Sequence, residues 1–294
     1  MCEYSHPRAK LGGGGRQVGR AKRCQRHKDV SCELPRLPKQ SCHLLLMFKD
    51  LRANPTLAHV LPLAVFTAML SVPGWFKIEN SELPWHVQMP ELWVYPLQTL
   101  VCAVLLLFFR QHYTLSPWRG LGCASLLAVV GIGFWIAPEM LRRALIERGH
   151  EAKDWWDWLG LADRSEGFDP TLVKESPLAY AATIGLRFAR MVLVVPFVEE
   201  LFWRGFLMRF LVDQDRPFQR IAFGTHRWRV FWIVTVAVML IHNTSDWPAA
   251  FVWGALMYFV AVRTKSLGAC IVMHAVGNLL LGLYVMKTGL WGFW

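Results

Sequence analysis

After residue 46, long apolar runs alternate with short charged segments along the whole chain. A membrane-crossing helix needs about 20 mainly apolar residues, and the runs that meet or approach this length predict the elements. They are Pro55–Trp75, Leu92–Phe109, Leu121–Pro138, Pro177 to about Leu211, Val230–Ile241 continuing into His242, Pro248–Val262 and Leu267–Met286. The fourth run is long and is interrupted by Arg187, Arg190, Pro196, Glu199, Glu200, Arg204 and Arg209. Read as one helix bent at Pro196, it gives seven spans; divided, it gives eight. The pattern therefore predicts an all-α, polytopic transmembrane bundle. Before that run lies a polar stretch, Glu139–Ser176, carrying charges of both signs with Trp155, Trp156 and Trp158. Its composition predicts an amphipathic segment lying at an interface. No internal repeat is visible.

Charge changes the picture in two ways. The formal net charge is +11, but residues 1–46 alone hold ten Lys/Arg against three Asp/Glu. A basic tail ahead of the first apolar run reads as an orientation signal kept in the cytoplasm, not as a nucleic-acid surface. The later loops agree with that orientation. Phe76–Glu91 and Glu139–Ser176 are acidic and suit the outside, whereas Arg110–Arg119, Asp213–Arg229 and Arg263–Lys265 are basic and suit the inside. This alternation requires the fourth run to cross once. The expected organisation is a tail at 1–46, N-terminal spans with the polar stretch at 47–176, and a C-terminal group of spans at 177–294. The tail is low in complexity and predicts disorder; Met47, directly ahead of the first span, would itself serve as a start.

Of the seven cysteines, Cys24, Cys32 and Cys42 lie in the tail with His27 and His43, at spacings that match no standard zinc ribbon. Cys102, Cys123 and Cys270 fall in apolar runs, where cysteine behaves as a small hydrophobe.

Charged side chains at membrane depth cost about 2.5–3.5 kcal/mol each on the gentlest scale, so those that occur call for an explanation. Glu200 and Arg204 are four apart on one helix face and can pair. Glu199 points about 100° away from Glu200 and is left without such a partner. His242 ends an apolar run, and His274 and Asn278 share one face of the last run. Each has a plainer reading: a structural ion pair, an interfacial histidine, a polar pair gluing helices together. Depth argues for more. Counted from the inner helix ends, Glu199, His242, His274 and Asn278 fall in one layer, roughly 10–18 Å deep. A carboxylate beside an imidazole can activate water, and a second imidazole with an amide can hold an oxyanion. No Gly-x-Ser-x-Gly or His-Glu-x-x-His motif is present, although Glu199, His242 and His274 could also hold zinc. No cofactor is firmly implied.

Glu199-Glu200-x-x-x-Arg204, a histidine ending a later helix, and His274-x-x-x-Asn278 together resemble the CPBP family across about residues 177–286. That family comprises type II CAAX prenyl proteases and bacteriocin-processing or immunity proteins. The stretch Arg263-Thr264-Lys265-Ser266-Leu267 through His274 and Asn278 to Tyr284-Val285 and Thr288-Gly289 is similar to the branch found beside exosortase systems. The resemblance implies an intramembrane endopeptidase of a bacterial cytoplasmic membrane. Glu199 would activate water with His242, His274 and Asn278 would form the oxyanion hole, and Glu200 with Arg204 would support the site. The implied partners are the bilayer, a membrane protein or peptide substrate and exosortase-system components. One departure is Val238, where the family usually has Phe four residues before the histidine. The competing readings are a non-catalytic immunity or assembly factor of the same fold and, with neither inverted repeats nor broken helix pairs to support it, a proton-coupled transporter.

Overall fold

Proline placement and apolar length set the helix boundaries. The computed structural model describes residues 49–78 and 84–294; the cysteine- and histidine-bearing tail lies outside them. Helix α1 (Pro55–Leu70) begins at Asn54, whose side-chain oxygen accepts from the N–H groups of Thr56 and Leu57 at 2.9 and 3.1 Å. There follow α2 (Glu91–Phe108), α3 (Leu121–Glu147), the composite α4 (Pro177–Phe210), α5 (Trp228–Leu240), α6 (Trp247–Thr264) and α7 (Leu267–Thr288). Helix α7 opens on Ser266, whose hydroxyl accepts from the Ala269 N–H at 3.0 Å, and closes on Gly289 at φ +69°.

Among the described residues, six helices are long and apolar enough to cross a membrane, the first of them counted through to Phe76. Helix α5, with 13 residues, covers only about 20 Å. The outward faces are apolar: Leu97, Leu100, Val104 and Leu107 form an exposed stripe at helical spacing along α2. In water such a stripe would be costly, whereas against lipid tails it is the expected surface. The chain is a polytopic helical membrane protein, and its fourth apolar run is one unbroken helix.

Helices α3, α5, α6 and α7 share the larger core, in which Ala124, Ala128, Val234, Trp253, Met257 and Met273 are buried. Small residues let these backbones approach. Gly131 of α3 and Gly277 of α7 clasp the Trp253 ring from two sides, and a Cβ on either would lie 2.7 or 2.4 Å from it. A second core joins α1, α2 and α4 through Phe66, Cys102, Val194, Val195 and Val198.

The polar stretch departs from expectation. Its first part, up to Glu147, continues α3 past Pro138. Glu139 is buried at 1% exposure, and Arg143 donates to it at 2.8 Å while Arg142 stands 3.7 Å away. Paired in this way, the carboxylate no longer forbids burial. The remainder is packed onto the bundle through short turns at Asp154–Leu159 and Pro170–Val173, with Trp156 buried and Trp155 and Trp158 exposed. Arg164 is its main tie. This buried guanidinium donates to the Ser245 carbonyl at 3.1 Å, to Asp246 at 2.6 Å and to the Gly292 carbonyl at 3.3 Å.

Helix α4 carries two π-helical segments, Ala189–Val194 and Leu201–Leu207, flanking Val195–Glu200. Pro196 explains the first. It has no N–H to donate, so a carbonyl one turn back needs another partner. The wider π turn presents Met191, five residues earlier, whose carbonyl accepts from Asn278 Nδ2 at 2.6 Å.

Candidate active site

A cavity of about 390 Å³ lies among α3 to α7, with α1, α2 and the C-terminal turn adding to its wall. Glu199, Arg204, His242, His274 and Asn278 all line it. The structure thus brings together the carboxylate, both imidazoles and the amide singled out in the sequence. Glu200 does not line the cavity; it stands behind His274 as its hydrogen-bond partner.

The two histidines are held differently. His242 Nδ1 lies 2.7 Å from the Val238 carbonyl. A carbonyl can only accept, so Nδ1 carries a proton; in the neutral ring Nε2 is then the acceptor. The contact uses only the backbone of Val238, so it does not depend on the side chain at that position, which is buried at 2% exposure in the core. His274 Nδ1 instead lies 2.8 Å from Glu200 Oε1, with both side chains buried. A carboxylate acceptor fixes the Nδ1–H tautomer here too, so a donor at Nε2 requires a second ring proton.

Glu200 is fully buried and has Arg204 on its other side, with Nη1 at 3.2 Å from each carboxylate oxygen. The pairing expected from the four-residue spacing is therefore present, and it is extended across helices by His274. Glu199, half-buried, makes no hydrogen bond among the described residues and faces the cavity. Asn278 has given one N–H to Met191; the amide retains a second.

Aromatic rings set the floor. Trp135 meets His242 edge-on at 5.5 Å, Trp253 meets His274 at 5.8 Å, and the two indoles meet each other at 6.4 Å. Trp253 is the wedge clasped by Gly131 and Gly277, so helix packing sets the level of both imidazoles.

Residues 181–292 match the family described as type II CAAX prenyl endopeptidase Rce1-like. Every polar residue of the site named so far lies inside the matched segment. No curated protein and no solved structure matches the chain. The Rce1-like match supports the wider CPBP resemblance and, at the coarse level, a hydrolase that works in a membrane.

Among the described residues, no group of three or more His, Cys, Asp or Glu side chains is disposed to hold a metal ion. The Nδ1 atoms of His242 and His274 are both committed to protein acceptors. Glu199, His242 and His274 are not such a group as placed; the Nδ1 commitments do not decide this, because a ligating imidazole binds through Nε2 with Nδ1 engaged in the same way.

Several lining residues were not singled out by their sequence. Trp135 and Trp253 look like ordinary apolar positions, and nothing local marks them. Arg187 and Arg190 stand out only as interruptions of an apolar run. Gln98, a lone amide in the second apolar run, carried a usable signal: it is fully buried and accepts from Arg190 Nε at 2.8 Å.

Proposed function

We propose that this protein is an intramembrane endopeptidase that hydrolyses a peptide bond of a membrane-associated protein by a water molecule activated at Glu199. The observation that carries the reading is the convergence of Glu199, His242, His274 and Asn278, from two helices and the turn after α5, on one cavity. The Rce1-like match over the same residues supports it.

The chemistry follows from the two histidine environments. His242 Nε2 accepts from the attacking water and orients it, while the Glu199 carboxylate takes its proton. The water oxygen bonds to the carbonyl carbon. The resulting oxyanion is met by Nε2–H of doubly protonated His274 and by the free N–H of Asn278. The C–N bond then breaks as Glu199 returns its proton to the leaving nitrogen. Glu200 and Arg204 touch no substrate in this scheme; they hold His274.

The substrate class is a membrane-bound precursor of a cell-surface protein in a bacterium, processed alongside exosortase components, with the tail at 1–46 on the cytoplasmic side. The match is to a prenyl endopeptidase family, but bacterial precursors need carry no prenyl group, and the mechanism uses none. A deletion strain complemented with wild type or with Glu199→Ala tests the proposal. Immunoblots of surface proteins should show uncut precursor accumulating with Glu199→Ala, which should be present in the membrane at wild-type abundance. Normal processing by Glu199→Ala would overturn it.

A further inference from the structure

The cavity extends from the Glu199 layer to a second polar layer built by Arg187 and Arg190. Counting charges along its walls leaves an imbalance. Arg204 is paired with Glu200, and Asp246 with Arg164. What remains is two guanidiniums against the single carboxylate of Glu199. Among the described residues neither Arg187 nor Arg190 forms an ion pair. Arg187 is buried, with its Nη1 unpartnered. Arg190 spends only Nε on protein, and its terminal nitrogens have no hydrogen bond.

Both are held as fixed forks. Gln98 donates to the Phe66 carbonyl at 2.6 Å and accepts from Arg190, so a buried relay sets that guanidinium. Tyr95 covers it at 4.4 Å. Phe168 and Trp294 each lie 4.7 Å from the Arg187 guanidinium. Rings on the faces leave the edges of a guanidinium for a planar, two-oxygen acceptor.

We infer that Arg187 and Arg190 form an anion subsite for a carboxylate of the substrate, lying several residues from the bond that is cut. The inference rests on the hydrolase reading for the word substrate and deepens it. Arg190 and Arg187 precede Glu199 by nine and twelve residues, about 13–18 Å along the axis. An extended peptide covers about 3.3 Å per residue, so the carboxylate lies about four to six residues from the scissile bond. Its source is either a chain terminus or an Asp or Glu side chain.

The test uses the full chain carrying Glu199→Gln, in phosphatidylcholine nanodiscs, so that binding is read without turnover. The probes are one labelled apolar 12-residue peptide with a free C-terminal carboxylate, the same peptide as the amide, and the amide with a single Glu at successive positions. At least one carboxylate form should bind about tenfold more tightly than the plain amide, as charged hydrogen bonds allow. A winning free terminus marks the chain end as the source; a winning Glu at one position marks a side chain. Adding Arg190→Gln should abolish the preference, and Arg190→Lys should retain part of it with an unchanged unfolding midpoint. Equal affinity for acid and amide, binding of none of the peptides, or a preference that survives Arg190→Gln would overturn the inference. So would loss of the acid preference, with amide affinity unchanged, when phosphatidylglycerol replaces phosphatidylcholine, which assigns the subsite to a lipid headgroup. The hydrolase reading fails separately, when wild-type protein leaves every surface precursor intact.

Discussion

His274 donates from Nδ1 to Glu200 Oε1 at 2.8 Å, with both side chains buried and Arg204 closing the far side of the carboxylate. The adjacent glutamates of the motif therefore have separate tasks, one facing the cavity and one facing the histidine. Replacing Glu200 by Gln keeps an acceptor for Nδ1 but removes the charge that supports a protonated ring. We expect turnover to fall about 100-fold or more with little change in KM, as for loss of an oxyanion donor. Glu200→Ala should go further and lower abundance, because it strands Arg204 at a cost of about 3–5 kcal/mol. Steady-state kinetics and membrane levels separate the two effects; wild-type turnover by Glu200→Gln would refute the assignment.

Asn278 has two jobs, holding the Met191 carbonyl and offering its remaining N–H to the oxyanion. Asn278→Ala should therefore lose both activity and stability. The expected losses are about 100- to 1,000-fold in kcat and about 1–3 kcal/mol for the abandoned carbonyl. Thermal unfolding beside kinetics checks this. A variant with normal stability and lost activity would mean that Met191 had found another donor.

Gly277 gives the Trp253 ring its seat. A Cβ there would lie 2.4 Å from the ring, so Gly277→Ala must displace the indole that packs against His274. Overpacking of this kind costs about 1–3 kcal/mol, and activity should fall with it. The smaller ring of Trp253→Phe should restore part of the lost unfolding midpoint in the double variant. Failure of that rescue would show that the close approach is not the cause.

Arg164 ties the 150–176 segment to the turn after α5 and to the C-terminal turn. Arg164→Ala should release that segment, because Asp246 loses its partner and two carbonyls lose a donor. Faster proteolysis between residues 150 and 176 and reduced hydrogen-exchange protection there are the expected readouts, with α7 protection unchanged. Equal proteolysis rates would dismiss the tie.

Much of the fold could be read from the chain because lipid imposes a simple requirement on it: apolar length becomes helix. The convergence of Glu199, His242, His274 and Asn278 on one level was legible for a related reason. Rise per residue converts sequence position into depth. What depth arithmetic lacks is rotation about each helix axis, and the Glu200–His274 bond depends on the rotation of α7 relative to α4. In the polar stretch the extension of α3 past Pro138 was not legible, because it needs Glu139 to be buried by pairing, as Arg164 is farther on. Arg187 and Arg190 were visible as interruptions, but their aromatic and amide partners come from α2, the 150–176 segment and the chain's last residues, too distant in sequence to be read locally.

Helix α5 stops about 10 Å short of the thickness of a hydrocarbon core. Where its neighbours continue, it yields to the turn carrying His242, Asn243 and Asp246, all three on the cavity wall. A notch of this kind would offer solvent a route along polar groups instead of through acyl chains. The co-reactant of any hydrolysis could then be supplied from the aqueous phase while the scissile strand arrives sideways from lipid, so that the two reactants meet without sharing an entrance.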